Sequence, residues 1–445
     1  MTRPTHIRST PVGPEKRTQR AFSRSMGLRA RPIGASVLAM AGLFFCLIGP
    51  SPSHGEDLDA ARQSTSVGIP EKPPLREADL MQGVQLNFQG RHQEALRMAD
   101  QLKAAHPESA WPFVLETYTL FWLMLYDDED TQYDVPIEKS CQRTIELADE
   151  RLDRNDEEAE AHYLKGQALM NLGRLHGWRG RYYKAGRDGE RARKHLETTL
   201  ELRPDWTDAE YYLGMYYFFV SLIPDLVTRW LGWLWFIPTG NAEEGVVLIE
   251  KVAETGTLYR EDALYMKGNI YINFRENQAE LGLPIIRSLA QRYPQNVLLQ
   301  FELIEALYET GKPQEVIATA NALADRKPRN TAEESWIRMA PTWKARAALL
   351  EGDPDRALRL LAPEIATPPE NPLWATAWID LIHAQALDAA GQREQALVLY
   401  QKILDYDPPH GSQRAARRAR MGLKNPYRAP QAVIIQASPP SDEHP

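Results

Sequence analysis

Cysteine is almost absent from this chain. Only Cys46 and Cys141 occur among 445 residues, and Cys46 lies inside an apolar run near the N-terminus. If that run is removed, no intramolecular disulfide can form, and a zinc site built on paired cysteines is excluded. Stability must then come from burial of an apolar core, for which a hydrophobic content of 43% is ordinary.

Motifs of known enzyme chemistry are also lacking. There is no glycine-rich phosphate loop, no His-Glu-x-x-His and no Gly-x-Ser-x-Gly. His162, His176 and His195 fall in one repeat but lack metal-ligand spacing. The acidic run 127–130 lacks the alternating ligands of a calcium loop and is typical of a solvated loop. We predict a non-enzyme without cofactor or metal, with an unfamiliar active site as an alternative.

Positive charge is scarce outside the N-terminal region. The formal net charge is -8, and residues 1–55 alone hold eight Lys/Arg against one Asp/Glu. Their removal leaves 44 basic and 59 acidic residues. Because nucleic-acid binding requires a basic face, we predict no nucleic-acid partner.

The N-terminus has the pattern of an export signal. The uncharged run 33–49 follows Arg29 and Arg31, and small and proline residues follow it. This predicts a signal peptide over residues 1–55, with Glu56 as the mature terminus. Its basic region is long, and a start at Met26 gives a more typical signal.

A membrane anchor at 33–49 is the alternative, since 17 residues is the lower limit for a spanning helix. Bulky residues before Cys46 do not resemble a lipid-attachment site. Residues 56–76 predict a flexible linker, and 423–445 a disordered proline-rich tail. We expect a periplasmic or outer-membrane-associated protein, or one anchored in the inner membrane and facing the periplasm.

The chain repeats one pattern of small, apolar, glycine, alanine and proline residues. The clearest copy has Ala384, Leu387, Gly391, Ala396, Tyr400, Ile403 and Pro408. Further copies have Gly83, Leu86, Gly90, Ala95, Ala99, Leu102 and Pro107; Leu307, Gly311, Ala320, Leu323 and Pro328; and Ala345, Ala348, Gly352, Ala357, Leu361 and Pro369. Small residues let two helices approach, glycine makes the turn, and proline ends the second helix.

This pattern resembles the tetratricopeptide repeat. Looser copies span 109–155, 157–204, 207–256 and 260–294. The resemblance implies an all-α, right-handed α-solenoid of about eight helix pairs over 77–422, with a basic helix at 411–422 as its cap. The region 211–270 is weakly similar to a bacterial group distantly related to tetratricopeptide protein 39. No alternating strand pattern is present.

The resemblance also implies a ladder of residues along the concave groove. The corresponding positions on the first helices are Tyr163, Gln167, Met170, Tyr211, Met215, Phe218, Tyr265, Asn269, Ile272, Phe301, Glu305 and Tyr308. Aromatic and amide groups suit an extended peptide or an apolar helix. Only Asn269 resembles the Lys/Asn/Arg set of the family's carboxylate-clamp subgroup. Core packing is the other interpretation of these aromatics.

Together these features predict an exported scaffold or adaptor that binds a protein or peptide in its groove. Two predicted insertions are further candidates for contact with a partner. The first, 174–194, joins Arg179, Arg181 and other cations to aromatics. It suits an acidic partner, lipid phosphate or another part of the array, or else it is a helix extension whose cations pair with acidic neighbours.

The second predicted insertion, 218–238, is the most apolar stretch outside the leader and contains Trp230, Trp233 and Trp235. Pro224, Asp225 and Arg229 interrupt it, so it is not a clean spanning helix. It predicts a lid on the array, a partner contact or insertion at a membrane surface. The last of these makes an envelope-assembly or transport accessory the alternative function.

Overall fold

The structure, a computed structural model, describes residues 75–127, 129–221, 241–275, 277–366, 372–406 and 413–430. Within these ranges the regular elements are all helices and no strand occurs. The predicted all-α class is confirmed. The described residues all belong to one compact unit.

The helices pack in pairs that follow the chain. A 3₁₀ turn (Glu77–Leu80) precedes α1 (Met81–Phe88), which pairs with α2 (His92–Ala105). The next pairs are α3 (Trp111–Met124) with α4 (Asp134–Leu152), α5 (Ala159–Trp178) with α6 (Tyr182–Leu202), and α7 (Thr207–Ser221) with α8 (Ala242–Thr255). They are followed by α9 (Arg260–Asn273) with α10 (Ala279–Arg292) and α11 (Val297–Glu309) with α12 (Pro313–Ala324).

The C-terminal part continues this order. The short helix α13 (Thr331–Arg338) leads into α14 (Ala340–Leu350), which pairs with α15 (Pro354–Ala366). Then α16 (Leu373–Ala389) pairs with α17 (Arg393–Asp405). The basic helix α18 (Gln413–Lys424) packs on α16 and α17, close to the capping helix predicted at 411–422.

Glycines make the tight turns inside several pairs. Those with positive φ are Gly90 (71°), Gly180 (66°), Gly311 (65°), Gly352 (74°) and Gly391 (80°). A side chain is strained in this left-handed region, so glycine at Gly391 and its equivalents reverses the chain at little cost. Four of the five are turn glycines of the repeat pattern, and Gly180 is the exception.

The first predicted insertion is helix rather than an inserted segment. Helix α5 runs to Trp178 and α6 begins at Tyr182, so the turn between them is short. The extra residues lengthen both helices of this pair. They remain helical because small residues keep the longer helices in contact: Ala185 and Ala192 on α6 are buried in the core.

Hydrogen bonds distant in sequence join the beginning of the described chain to its later pairs. The Asn296 side-chain amide donates to the Phe88 carbonyl over 3.0 Å, and the Trp336 indole donates to the Tyr126 carbonyl over 3.0 Å. Arg329 donates to the Gln89 carbonyl, also over 3.0 Å. The stack of helix pairs therefore curves until its first two pairs contact the sixth and seventh.

The predicted leader and the predicted tail lie at the two ends of the chain. The leader 1–55, with the alternative anchor 33–49, lies outside the described residues, as does the linker up to residue 74. The tail was predicted from residue 423, whereas α18 extends to Lys424 and the Tyr427 hydroxyl lies 2.6 Å from that of Tyr308. Packing thus continues to Tyr427 at least.

Candidate ligand cavity

The first helices of successive pairs enclose a cavity of about 320 Å³, here called the aromatic cavity. Residues from α3, α5, α7, α9 and α11 line most of it, and α13, α16 and α18 each add one. Its aromatic lining consists of Tyr118, Phe121, Trp122, Trp178, Tyr211, Tyr212, Phe219, Tyr259, Tyr265, Phe274, Phe301, Trp336 and Trp378. A cavity of this size and composition suits a small ligand or a few side chains of a larger one.

Helical periodicity explains why these residues share one surface. On α9, Asp262, Tyr265, Met266 and Asn269 are spaced at intervals of three and four residues and all line the cavity. Residues at these intervals lie above one another on one helix face. The lining residues of α3 and α5 follow the same rule. Stacking successive helix pairs therefore brings several such faces together.

A cluster of tyrosines surrounds Asp262 at one side of the cavity. The rings of Tyr211 and Tyr259 are stacked, with centroids 5.2 Å apart and an angle of 8° between their planes. The Tyr118 hydroxyl donates to both carboxylate oxygens of Asp262, at 3.0 Å and 2.9 Å. The Tyr118 and Tyr259 ring centroids are 6.1 Å apart. The carboxylate thus lies against aromatic rings that carry hydroxyl groups.

Asp262 forms no ion pair with the described residues. Among the described residues, no Lys, Arg or His lies within ion-pair distance of it. Burial in this apolar environment raises the pKa of Asp262 to about 7, against the lowering effects of the Tyr118 hydrogen bond and of the more distant Arg174. The carboxyl group is therefore only partly ionised near neutral pH.

Arg174 on α5 also lines the cavity and is held mainly by aromatic rings. Its guanidinium carbon lies 4.5 Å from the Phe121 ring centroid and 5.7 Å from that of Trp178. It donates a hydrogen bond to the Asn171 side chain over 3.2 Å. No carboxylate in the described part of the chain lies within ion-pair distance of Arg174. A partly buried cation normally has such a partner.

The opposite side of the cavity contains a satisfied polar network. Arg414 on α18 donates two parallel hydrogen bonds of 2.9 Å each to the Glu302 carboxylate. The Tyr265 hydroxyl and the Asn269 side-chain amide donate to the same carboxylate, over 3.0 Å and 3.2 Å. This bidentate pair is the strong geometry of an arginine–carboxylate contact. Glu302 and Arg414 therefore neutralise each other and attach α18 to α11.

Four residues of the predicted groove ladder line the aromatic cavity. They are Tyr211, Tyr265, Asn269 and Phe301, from three successive pairs. The structure brings them together although Tyr211 and Phe301 are 90 residues apart in sequence. Phe301 packs edge-on against Trp336, with centroids 4.9 Å apart.

The other ladder residues are buried and have partners within the protein. The Tyr163 hydroxyl donates to Glu77 over 2.9 Å, and its ring lies 4.7 Å from that of Trp206. The Gln167 side chain donates to the Tyr259 hydroxyl. The remaining members packed in the core are Met170, Met215, Phe218, Ile272, Glu305 and Tyr308. For these positions the packing interpretation describes what the structure shows.

The two insertion arginines named from the sequence face acidic side chains of α4. Arg179 donates to both Asp134 oxygens, with its shortest contacts at 2.8 Å, and Arg181 donates to Glu138 over 2.9 Å. Their charges are therefore neutralised inside the molecule. The predicted insertion contacts Trp230, Trp233 and Trp235 lie outside the described residues.

Sequence reasoning missed Tyr118, Tyr259 and Asp262. Asp262 lies one helical turn before Tyr265 on the same face of α9, so this spacing is a signal that could have found it. Tyr259 precedes α9, and Tyr118 lies on a helix from a loose repeat copy. No local pattern distinguishes these two from core aromatics.

Outside the aromatic cavity, two histidines lie close together in the described residues. His162 and His195 approach to 2.9 Å between their Nδ1 atoms, and burial lowers the pKa of His195 to about 4. No group of three or more potential metal-binding side chains occurs among the residues described. None of the described helices is long and apolar enough to span a bilayer.

Comparison with known proteins does not place the chain in a family. No protein-family model matches it, and no curated protein matches it. The tetratricopeptide resemblance accordingly stays a prediction that rests on the repeat pattern.

Proposed function

We propose that this chain is an exported α-solenoid of about eight tetratricopeptide-like helix pairs that acts as a scaffold or adaptor. Its concave side receives a peptide segment of a protein partner in the aromatic cavity. Three features of the described residues support a repeat array: the sequential helix pairs, the turn glycines and the curvature that joins early to late pairs.

One observation carries the proposal. Tyr211, Tyr265, Asn269 and Phe301, chosen from the repeat pattern as groove residues, line a single cavity, although Tyr211, Asn269 and Phe301 are themselves largely buried. Aromatic anchors in such a pocket dominate the binding energy of many interfaces. A peptide segment fits because the lining combines large apolar rings with hydroxyl, amide and charged groups.

Site-specific photocrosslinking tests the proposal in the cell envelope. A benzophenone side chain replaces Tyr265 in the full-length chain, and the matched control carries it at Val247, which is 61% exposed on α8 and does not line the cavity. We expect a defined adduct with a protein partner from position 265 and none of that mass from position 247. Identical adducts from both positions, or none from either, would contradict the proposal.

A double variant provides an independent control. Tyr211→Ala with Tyr265→Ala removes two anchors and should decrease partner recovery by roughly tenfold or more. Tyr271→Ala, whose hydroxyl donates to Glu250 outside the cavity, should leave recovery unchanged. Circular dichroism of all variants establishes that the helices are retained.

A further inference from the structure

The aromatic cavity contains an arginine and a partly ionised aspartate that do not form an ion pair with each other. Arg174 has no carboxylate, and Asp262 has no cation, within ion-pair distance among the described residues. Both side chains line the aromatic cavity. Burial raises the pKa of Asp262, and the positive charge of Arg174 is one of the effects that oppose this rise. The two side chains therefore lie in one cavity but beyond ion-pair distance of each other.

Tyr211 and Tyr212 lie close to both charges. The positive charge of Arg174 lowers, and the negative charge of Asp262 raises, the pKa of each of these two phenols. Both tyrosines line the cavity. The arginine and the aspartate thus share the cavity with aromatic rings that carry hydroxyl groups.

Each charge also has the surroundings that its type of ligand requires. Tyrosine rings beside a carboxylate form a site that attracts organic ammonium groups, through both the acid and the ring faces. A guanidinium that lies flat on aromatic rings keeps its remaining N–H donors for a planar anion such as a carboxylate. The second arginine of the cavity, Arg414, is already bound to Glu302.

We propose that the aromatic cavity binds a zwitterionic ligand, one that carries an ammonium and a carboxylate group together with an aromatic or apolar body. The ammonium lies at Asp262 among the tyrosines, the carboxylate binds Arg174, and the apolar body packs against Phe121 and Trp178. This inference rests on the proposed function, because it defines the chemistry of what enters the same cavity.

Ligands with a single charge satisfy only half of this site. An amine would neutralise Asp262 but leave Arg174 without an anion, and an acid would do the reverse. Burying a charge without a partner is costly, whereas a hydrogen bond between charged groups is among the stronger ones. We therefore expect discrimination against either single-charge analogue of roughly tenfold to a hundredfold in affinity.

Four small probes with the same phenyl ring test the charge requirement on the full-length chain. They are phenylalanine, with both charges; phenethylamine, with the ammonium; 3-phenylpropionate, with the carboxylate; and 3-phenylpropanol, with neither. Titration calorimetry gives the affinities, and the ligand-dependent rise in melting temperature provides a second readout. Phenylalanine should bind most tightly.

Two variants assign the charges to their residues. Asp262→Asn should bind phenylalanine no more tightly than 3-phenylpropionate, because the partner of the ammonium group is gone. Arg174→Gln should bind phenylalanine no more tightly than phenethylamine, because the partner of the carboxylate is gone. Arg191→Gln, half-exposed on α6 and outside the cavity, should keep both preferences. Each preference is the ratio of two ligand affinities measured on the same variant. A general loss of stability weakens both affinities and therefore does not change this ratio. Arg174→Lys should recover part of the carboxylate preference.

A separate set of ligands tests which kind of molecule carries the two charges. A free amino acid, a short peptide with free ends, and an internal segment with acidic and basic side chains share this chemistry. Phenylalanine, Ala-Phe and the end-blocked Ac-Lys-Phe-Glu-NH₂ represent them. The tightest of the three identifies the source.

The outcomes separate this inference from the proposed function. Equal binding of 3-phenylpropanol and phenylalanine would overturn the charge requirement while retaining a ligand-binding cavity. Absence of binding by every probe and peptide would overturn the inference as well. The crosslinking result from position 265 then decides separately whether a protein partner occupies the cavity.

Discussion

The carboxylate of Glu305 on α11 meets the guanidinium of Arg346 on α14, and neither side chain has any exposed surface. Arg346 also lies 3.6 Å above the Tyr308 ring centroid, and Arg418 contacts the second Glu305 oxygen at 3.0 Å. Glu305 and Tyr308, predicted as groove residues, thus form a buried ionic cluster that connects α11, α14 and α18.

Breaking this buried pair should destabilise the protein more than replacing it. Removing one partner leaves a buried charge without its main partner, so Glu305→Leu should lower the free energy of unfolding by about 3–5 kcal/mol. Arg346→Met should cost less than that, because Arg418 still contacts Glu305. The double variant should cost less than Glu305→Leu alone, because Arg346 is no longer buried without Glu305 and Arg418 keeps its contact with Glu309. Urea denaturation measures all three.

The control for this cycle is the surface pair Arg356–Glu351, with side chains 42% and 21% exposed. Arg356→Met should change stability by about 1 kcal/mol or less. Additive losses at Glu305 and Arg346 would show that the two residues do not act as a pair.

Asn296 has two roles, which a matched variant separates. Its side-chain oxygen caps α11 by accepting from the backbone amides of Leu298 and Leu299, at 3.0 Å and 3.2 Å, while its amide donates to Phe88. Asn241 caps α8 in the same way, at 3.1 Å and 3.2 Å, and its side chain makes no hydrogen bond to a distant residue in the described part of the chain.

Asn241→Ala should therefore cost about 1 kcal/mol for the lost cap. Asn296→Ala should cost about 1–2 kcal/mol more, because the buried Phe88 carbonyl also loses its donor. Equal unfolding free energies for the two variants would mean that the contact between early and late pairs contributes nothing measurable to stability.

Alanine and asparagine substitutions should rank in opposite order of stability at two glycines, Gly391 and Gly214. Gly391 has a positive φ of 80° with open space around it, so Ala should cost about 1–2 kcal/mol and Asn less, since Asn tolerates this conformation. At Gly214 an added Cβ would lie 2.8 Å from the Gly245 carbonyl oxygen.

At that position Ala should cost about 1–3 kcal/mol and the larger Asn more than Ala, because the α7–α8 backbones would have to separate. Thermal melting of the four variants measures the order. The same ranking of Ala and Asn at both sites would refute one of the two explanations.

Glu77 should make stability fall as pH rises. Burial, reinforced by the negative charge of Asp208, raises its pKa from an ordinary value of 4.5 to about 8. Between these values the folded state retains the proton that the unfolded state has released. The contribution of Glu77 is therefore full below pH 4.5 and is lost as pH rises through 8.

In Glu77→Gln the side chain cannot titrate. Relative to this variant, the wild type should lose about 2 kcal/mol of unfolding free energy between pH 5 and 8, an amount reduced for partial solvent exposure. Urea titrations at each pH give the difference. The control is Glu94→Gln, because in the wild type a hydrogen bond from Arg91 lowers the pKa of Glu94. Parallel pH curves for wild type and Glu77→Gln would contradict the expected burial of this group.

Much of the fold was accessible from local sequence. The glycines at Gly90, Gly311, Gly352 and Gly391 marked the turns, because a left-handed turn between helices depends on the residue at one position. Helical periodicity and prolines located the helix pairs for the same local reason. The extra residues around Gly180 were predicted either as an insertion or as a helix extension, and the structure shows the extension, since nothing local distinguishes longer helices from an inserted loop.

The candidate site was accessible only in part. Tyr163 and Tyr211 occupy equivalent repeat positions, but Glu77 and Trp206 cover Tyr163, while Tyr211 borders the cavity. Arg174 and Arg179 belong to the same basic segment, but only Arg179 meets a carboxylate, that of Asp134. These differences depend on partners far away in the chain.

The sequence by itself determined the all-helical class, the order of the helix pairs and most of their turns, because each depends on residues within one or two helical turns. Only the tertiary structure decided which side chains are sealed in the core and which border a cavity. It also placed Arg174 and Asp262 in one cavity without an ionic partner among the described residues. The physical reason is that burial and charge compensation depend on groups brought together by the curvature of the whole stack, which no local pattern encodes.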